Sequence, residues 1–220
     1  MSKTGRRTPP GASRRSQGER SAATRKRLCE AAVALLAEVG FERLTTSQIA
    51  QRAQVSKGAQ AHHFPTKHDL LVAAFAHLLS GWRARREAFI REVGPRASME
   101  QVLRYLWRDV FGRVDYVASV EMMLAARHDP VLRDRLRELL RSWTEVRDDT
   151  FHELVPIGES FDRFATFLQL NLAVLRGLAI VRGLDGDEQM IDRGLRLWIE
   201  IATDYAESHQ DPAQRRGKPN

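Results

Sequence analysis

Apolar positions recur at intervals of three and four along almost the whole chain, and no segment alternates with period two. Between 21 and 39 they fall at Leu28, Ala31, Ala32, Leu35, Leu36 and Val39, one face of a helix that Gly40 ends, with Phe41 plugging a small core beneath. A long helix opens at Thr66 and carries Leu70, Leu71, Ala74, Phe75, Leu78 and Leu79 before Gly94-Pro95 breaks it. Ser98 with Gln101 forms a capping box for a helix through Val102, Leu103, Leu106, Trp107, Val110 and Phe111. The next helix spans 115–127 with Val117, Val120, Met122 and Met123. Asp129-Pro130, a cap followed by proline at the first helical position, starts a charged helix to 154, amphipathic through Leu132, Leu136, Leu139, Leu140 and Trp143. The stretch 161–182 is apolar almost all round, which predicts burial on most sides. A turn at 183–186 leads to a last helix holding Ile191, Leu195, Trp198, Ile201 and Ala202. The pattern predicts an all-α fold.

One stretch reads differently from these long amphipathic helices. In TTSQIAQRAQVSKGAQAHHFPTK, residues 45–67, two short helices are joined by a tight turn. Thr45 caps the first, with Gln48 three residues on completing a capping box, and Ile49, Ala50 and Ala53 give it an inner face. Gln54-Val55 makes the turn, and Ser56 caps a second helix that Pro65 stops. A helix of about eight residues does not persist alone in water. Held out by a partner helix and bearing short polar and basic side chains, it suits the DNA major groove. The stretch is a helix-turn-helix by this reading, with the motif at 45–64.

The chain resembles the TetR-type one-component transcriptional regulators. The resemblance rests on the apolar helix before the motif, on Thr45-Thr46 with Ile49-Ala50, on Val55-Ser56-Lys57-Gly58, and on His63-Phe64-Pro65-Thr66-Lys67 followed by Asp69-Leu70-Leu71. It covers roughly residues 24–84. It implies a cytoplasmic homodimer in which an N-terminal three-helix domain binds operator DNA and a larger C-terminal helical bundle senses a small-molecule effector and dimerises through the last two long helices. Two departures stand out. Gln54 occupies the turn position where the family usually has glycine, so a left-handed backbone there costs about 1 kcal/mol. Gln60 and Ala61 replace a common Leu-Tyr pair whose tyrosine usually touches the DNA backbone, which leaves that contact to Gln60 or His62. The domains expected are a disordered basic arm at 1–20, the helix-turn-helix domain at 21–84, the sensing and dimerisation domain at 85–209, and a disordered tail at 210–220.

Composition sharpens this picture in three places. The net charge of +7, with histidine neutral, suits a polyanionic partner, and much of it lies near the N-terminus: Arg6, Arg7, Arg14, Arg15, Arg20, Arg25, Lys26 and Arg27. That arm either reaches DNA or only keeps the chain soluble. The single cysteine, Cys29, excludes an internal disulfide and reads as a small buried hydrophobe. No uninterrupted apolar run approaches 18 residues and no signal-peptide core follows the basic N-terminus, so a cytoplasmic protein without a membrane partner is expected.

Candidate DNA contacts follow from position. Lys57 opens the second helix and reaches a guanine edge or a phosphate, Gly58 and Ala59 allow close approach, and Ala59 or Ala61 meets a thymine methyl. Gln60, His62 and His63 complete that helix, while Thr45, Thr46, Ser47 and Lys67 suit phosphate, with Thr45 equally a simple cap. Adjacent helical residues point about 100° apart, so His62 and His63 do not share a metal readily. No phosphate loop, nucleophile elbow or HExxH motif occurs, so neither catalytic residues nor a cofactor is expected. For the effector, Trp107, Phe111, Met122, Met123 and Trp143 with Phe151, Phe164, Phe167 and Leu168 line an apolar cavity or simply pack a core. Asn171 and Arg176, polar on an apolar helix, need a partner in a ligand or another subunit. The function expected is a sequence-specific transcriptional repressor released by a small, mostly apolar ligand. The alternative is a helical protein-interaction module in which the helix-turn-helix is scaffold.

Overall fold

The computed structural model describes residues 16–155, 157–158 and 160–209, and among these the chain is helical with no strand. The elements are α1 (Gln17–Arg43), α2 (Thr46–Arg52), α3 (Lys57–His63), α4 (Lys67–Val93), α5 (Met99–Leu106) continuing as a π-helical turn over Trp107–Phe111, α6 (Val114–Ala126), α7 (Pro130–Leu154), α8 (Phe161–Asp185) and α9 (Glu188–Ser208).

Side chains set most of the starts. Thr45, Thr66 and Ser98 each close the expected capping box with Gln48, Asp69 and Gln101, and the Ser56 hydroxyl accepts from the Ala59 N–H. Asp129 caps α7 with Pro130 in its first turn. A further box was not foreseen: the Ser16 hydroxyl accepts from Glu19, whose carboxylate accepts from the Ser16 N–H at 2.7 Å. Helix α1 therefore begins inside the stretch assigned to the basic arm, because serine followed at three residues by glutamate is itself a helix start. The rest of the arm, 1–15, and the tail at 210–220 lie outside the described residues.

Two other expectations change. Gly40 kinks α1, with φ 75° and ψ 170°, but the helix resumes to Arg43. Helix α5 becomes π-helical over the turn that carries Val110 and Phe111. Helix α4 ends where expected, at Gly94, where φ is 78°.

The small core of the N-terminal unit joins Leu28, Ala32 and Leu36 of α1, Ile49, Phe64, and Leu70, Leu71 and Phe75 of α4, all buried. Cys29 lies in the same layer, where burial pushes its thiol up to about 11, so it stays protonated and inert. Helix α1 also packs along α6, so the two halves share a continuous core.

Helix α8 departs most from expectation. Its inner row, Phe164, Leu168, Leu172, Leu175 and Ala179, is buried, but Leu170 is 58% and Leu184 78% exposed, and Leu197 on neighbouring α9 is 58% exposed. An all-round apolar sequence is here two-faced: one face packs within the chain and the other is left open. By length and composition alone α8 is also apolar enough to cross a membrane, a test that core helices of water-soluble proteins pass as well.

The turn between α2 and α3 confirms the strain expected of it. Gln54 has φ 54° and is the only non-glycine with positive φ among the described residues. Gln54→Gly should raise stability by about 0.5 kcal/mol, the relief of strain less the added freedom of the unfolded chain. A thermal melt should rise by about 1–2 °C; a fall would mean that the glutamine side chain contributes something the geometry does not show.

Candidate nucleic-acid interface and internal cavity

Helix α3 is held from behind. Phe64, at its C-terminal end, is buried, and the Arg25 guanidinium lies over the Phe64 ring at 4.3 Å while donating to the His63 carbonyl at 2.9 Å. Arg25, counted among the N-terminal cations that either reach DNA or only keep the chain soluble, is thus a clamp on the end of α3. Gln60 is only 7% exposed and its side-chain amide donates to the Phe64 carbonyl at 3.0 Å. That corrects its assignment as a surface contact: the residue in the usual leucine position does the leucine's inward work with one added hydrogen bond.

Lys57, Gly58, Ala61 and His62 face outward, with Ala59 and His63 half-buried beside them. A β-carbon added at Gly58 would meet nothing within 4 Å, so packing does not require glycine there. His62 and His63 stand edge to face with ring centroids 5.7 Å apart. Burial, then the neighbouring His62 and Arg25, hold His63 below its ordinary value, which favours the neutral ring at pH 7. On α2, Ser47 and Thr45 are exposed and Thr46 is half-buried. The Thr45 hydroxyl accepts from the Gln48 N–H at 3.2 Å and donates to the Gln48 side chain at 2.8 Å, which realises the capping role. Lys67 also turns inward. Its ammonium donates to the Phe41 carbonyl at 3.3 Å and sits 4.4 Å over the Phe41 ring, so it closes the end of α1 where a phosphate contact had been expected.

Three polar contacts join this unit to the helices behind it. The Phe41 N–H, just past the Gly40 kink, donates to the Glu121 carboxylate of α6 at 3.0 Å. Gly40 itself leaves room: a β-carbon there would lie 3.1 Å from the same carboxylate, on a backbone that already disfavours one. On α4, His68 meets Asp129 at 2.6 Å and Asp69 accepts from Arg135 at 3.0 Å. The Asp69 carboxyl is held below the usual range by the Thr66 hydroxyl and then Arg135, and that of Asp129 by the Leu132 N–H and then His68. Their contributions are complete above the ordinary carboxylate value of 3.8 and are lost only as pH falls below it.

Behind α4 lies a cavity of about 220 Å³ between α4, the α5 segment, α6, α7 and α8. Of the eleven residues expected to line an effector site, the structure brings Phe111, Met123, Trp143, Phe151 and Arg176 to it. The others have different work. Met122, Phe164 and Leu168 are core, Trp107 packs beside Gly112, and Phe167 stacks on Tyr205 with centroids 4.5 Å apart. Asn171 is fully buried with both ends of its amide used: it donates to the Phe167 carbonyl at 2.8 Å and accepts from the Trp198 indole at 3.0 Å. The cavity walls that sequence reasoning missed come chiefly from α4, namely Phe75, Trp82 and Arg86, and from Tyr105, Tyr116 and Arg147.

Residues 28–74 match the family model for bacterial regulatory proteins of the tetR family. The HTH-type transcriptional regulator CymR of Pseudomonas putida is 33% identical over 190 residues, which are 86% of this chain and 94% of that protein. The chain belongs to the TetR family. It is a helix-turn-helix transcriptional regulator, and its fold is similar to that of solved structures. A transcriptional regulator from Rhodococcus sp. Rha1 superposes with a TM-score of 0.65 at 24% identity, covering 83% of this chain and 97% of that one. The multidrug binding protein EbrR complexed with imidazole does so with a TM-score of 0.57 at 23% identity, covering 81% and 94%.

Within this TetR-family frame, α3 divides into residues that hold the helix and residues that the helix displays. Gln60→Ala should cost about 1–2 kcal/mol, because it leaves the buried Phe64 carbonyl without a donor, and should lower the melting temperature by about 4 °C. Lys57→Ala and His62→Ala should leave the melt within about 0.5 kcal/mol of the parent. Equal melts for all three would remove Gln60 from the support of α3.

Proposed function

We propose that this protein is a cytoplasmic, homodimeric repressor whose displayed α3 surface reads an operator, and that a small, mostly apolar molecule in the α4–α8 cavity releases it. The observation that carries the reading is the continuity of α4. Its first turn is bonded into the DNA-binding unit and to α7, and Phe75 and Trp82, further along the same helix, wall the cavity. Glu121 makes the corresponding link on α6, the helix that also presents Tyr116 and Met123 to the cavity. An occupant that fits one placement of α4 and α6 better than another shifts α1 and α4, and with them the two recognition helices of a dimer. Those helices must match successive major grooves, about 34–36 Å apart.

In this reading Lys57, Gly58, Ala61 and His62 enter the groove, with Ala59 and His63 at its edge and Thr46 and Ser47 against phosphate. The dimer forms through the open apolar faces of α8 and α9, where Leu170, Ile180 and Leu184 of α8 and Leu197 and Ile201 of α9 are exposed. An exposed apolar surface of this kind on a regulator is what a second copy covers.

Two experiments test the proposal. With DNA from upstream of its own gene, Lys57→Ala should weaken binding and lower the salt slope by about 1, and Gly58→Ala should weaken binding without loss of stability. Unchanged affinity in both variants would take α3 out of the groove and leave the motif as scaffold. Leu197→Glu with Ile201→Glu should convert the protein to monomers in sedimentation and abolish operator binding, whereas a persistent dimer would place the interface elsewhere.

A further inference from the structure

The cavity contains a buried cation with no ion-pair or hydrogen-bond partner among the described residues. Arg86 is only 5% exposed, and its Nη1 is buried without a hydrogen-bond partner. Among the described residues no carboxylate or other acceptor is hydrogen-bonded to its guanidinium; the Trp143 ring lies 4.8 Å from it, and Tyr105, Glu87, Arg83 and Arg147 are the charged or titratable groups around it. Arginine does not escape such a site by deprotonation, since its intrinsic affinity for the proton is too high. A buried cation without a partner is among the most unfavourable groups a core can hold.

The other charges of the cavity do not compensate. Three arginines line it, Arg86, Arg147 and Arg176, and no aspartate or glutamate does. Arg147 is neutralised by its neighbour Asp148, to which its Nε donates at 2.8 Å. Arg176 donates to the Tyr116 hydroxyl at 3.0 Å and has no carboxylate. Apart from these, half of the lining is aromatic, Phe75, Trp82, Tyr105, Phe111, Tyr116, Trp143 and Phe151, and most of the rest is aliphatic.

We propose that the cavity takes a small organic monocarboxylate with an aromatic or compact apolar body, its carboxylate held by the free edge of Arg86. This rests on the effector reading given above and names the chemistry of that effector. The fork of a guanidinium matches a carboxylate in two parallel hydrogen bonds, and a desolvated surrounding strengthens the pair. The Tyr116 hydroxyl, which accepts from Arg176, keeps its own proton to donate to the same anion. Size narrows the class. A cavity of about 150 Å³ is known to hold benzene, so 220 Å³ admits one six-membered ring with a carboxylate and a small substituent. Long acyl chains exceed it. A neutral molecule leaves Arg86 unanswered, and a cation meets Arg86 and Arg176 with like charge.

The test uses the full-length protein and three probes of one shape: 4-methylbenzoate, 4-methylbenzamide and benzyltrimethylammonium, with benzoate and phenylacetate to vary the body. Titration calorimetry and thermal melts should show the acids binding and raising the melting temperature, with the amide and the ammonium ion doing neither. Arg86→Met should weaken 4-methylbenzoate about 100-fold and should raise the melt of the ligand-free protein, by roughly 3 °C, because it removes an unpaired buried charge. Arg86→Gln should also lose the acid. The proposal falls if the amide binds as well as the acid, if none of the acids binds, if Arg86→Met binds 4-methylbenzoate undiminished, or if both variants fail to fold. Operator DNA separates this from the broader reading. Acids that bind through Arg86 without disturbing the operator complex overturn the effector role and leave the site standing. Release caused only by neutral or cationic compounds overturns the carboxylate and leaves the effector role standing.

Discussion

A seven-residue helix cannot keep its shape in water, and the N-terminal half of this molecule is arranged around that constraint. Everything that fixes α3 acts on its ends and its back: the Ser56 cap, the buried Phe64, the inward amide of Gln60 and the Arg25 guanidinium reaching over from α1. The outer face is left with small and polar side chains because none of them is needed for support. The strained Gln54 belongs to the same arrangement, since the left-handed turn there sets the angle at which α3 leaves α2. Stability is concentrated behind the helix so that its front is free to be chemically specific.

The second half repeats the division on a larger scale. Most of its core is ordinary apolar packing, and the cavity between α4 and α8 holds a guanidinium without a counter-ion and the Tyr116 hydroxyl, which accepts from Arg176. The two halves meet through short polar contacts, Glu121 to the Phe41 N–H and the Asp69 and Asp129 pairs, set beside a shared apolar layer of α1, α4 and α6. Polar links of this kind are directional, so a small displacement of α6 or α7 changes them more than it changes the apolar contacts around them.

Local signals were legible in the sequence and distant ones were not. The caps at Thr45, Ser56, Thr66, Ser98 and Asp129 involve residues three apart, and each does what its spacing implied. Ser16 with Glu19 carried the same signal and was passed over because the surrounding stretch is rich in arginine and glycine. The helix-turn-helix was legible for the same local reason. Its inward and outward residues were not, because whether Gln60 and Lys67 face the core depends on where Phe64 and Phe41 come to rest. The cavity was half visible. Phe111, Met123 and Trp143 stand out as large apolar residues, but Asn171 drew notice as an unpartnered polar group when its partner was Trp198, 27 residues away. Arg86 carried a usable signal. It falls on the inward stripe of α4, in register with Phe75, Leu78, Trp82 and Phe89, where an arginine has no structural reason to be.

Helix α8 has a consequence of its own. Leu172 and Arg176 face the cavity, while Leu170 and Ile180, a few residues away around the same cylinder, face outward to where the second chain of the proposed dimer packs. The partition between one protomer's ligand and the other protomer is then a single helix about 10 Å thick. In the proposed dimer two copies of α8, one from each protomer, would stand between the two cavities, so a rotation of α8 that accommodates a guest would reach the second cavity only through the packing of that helix pair.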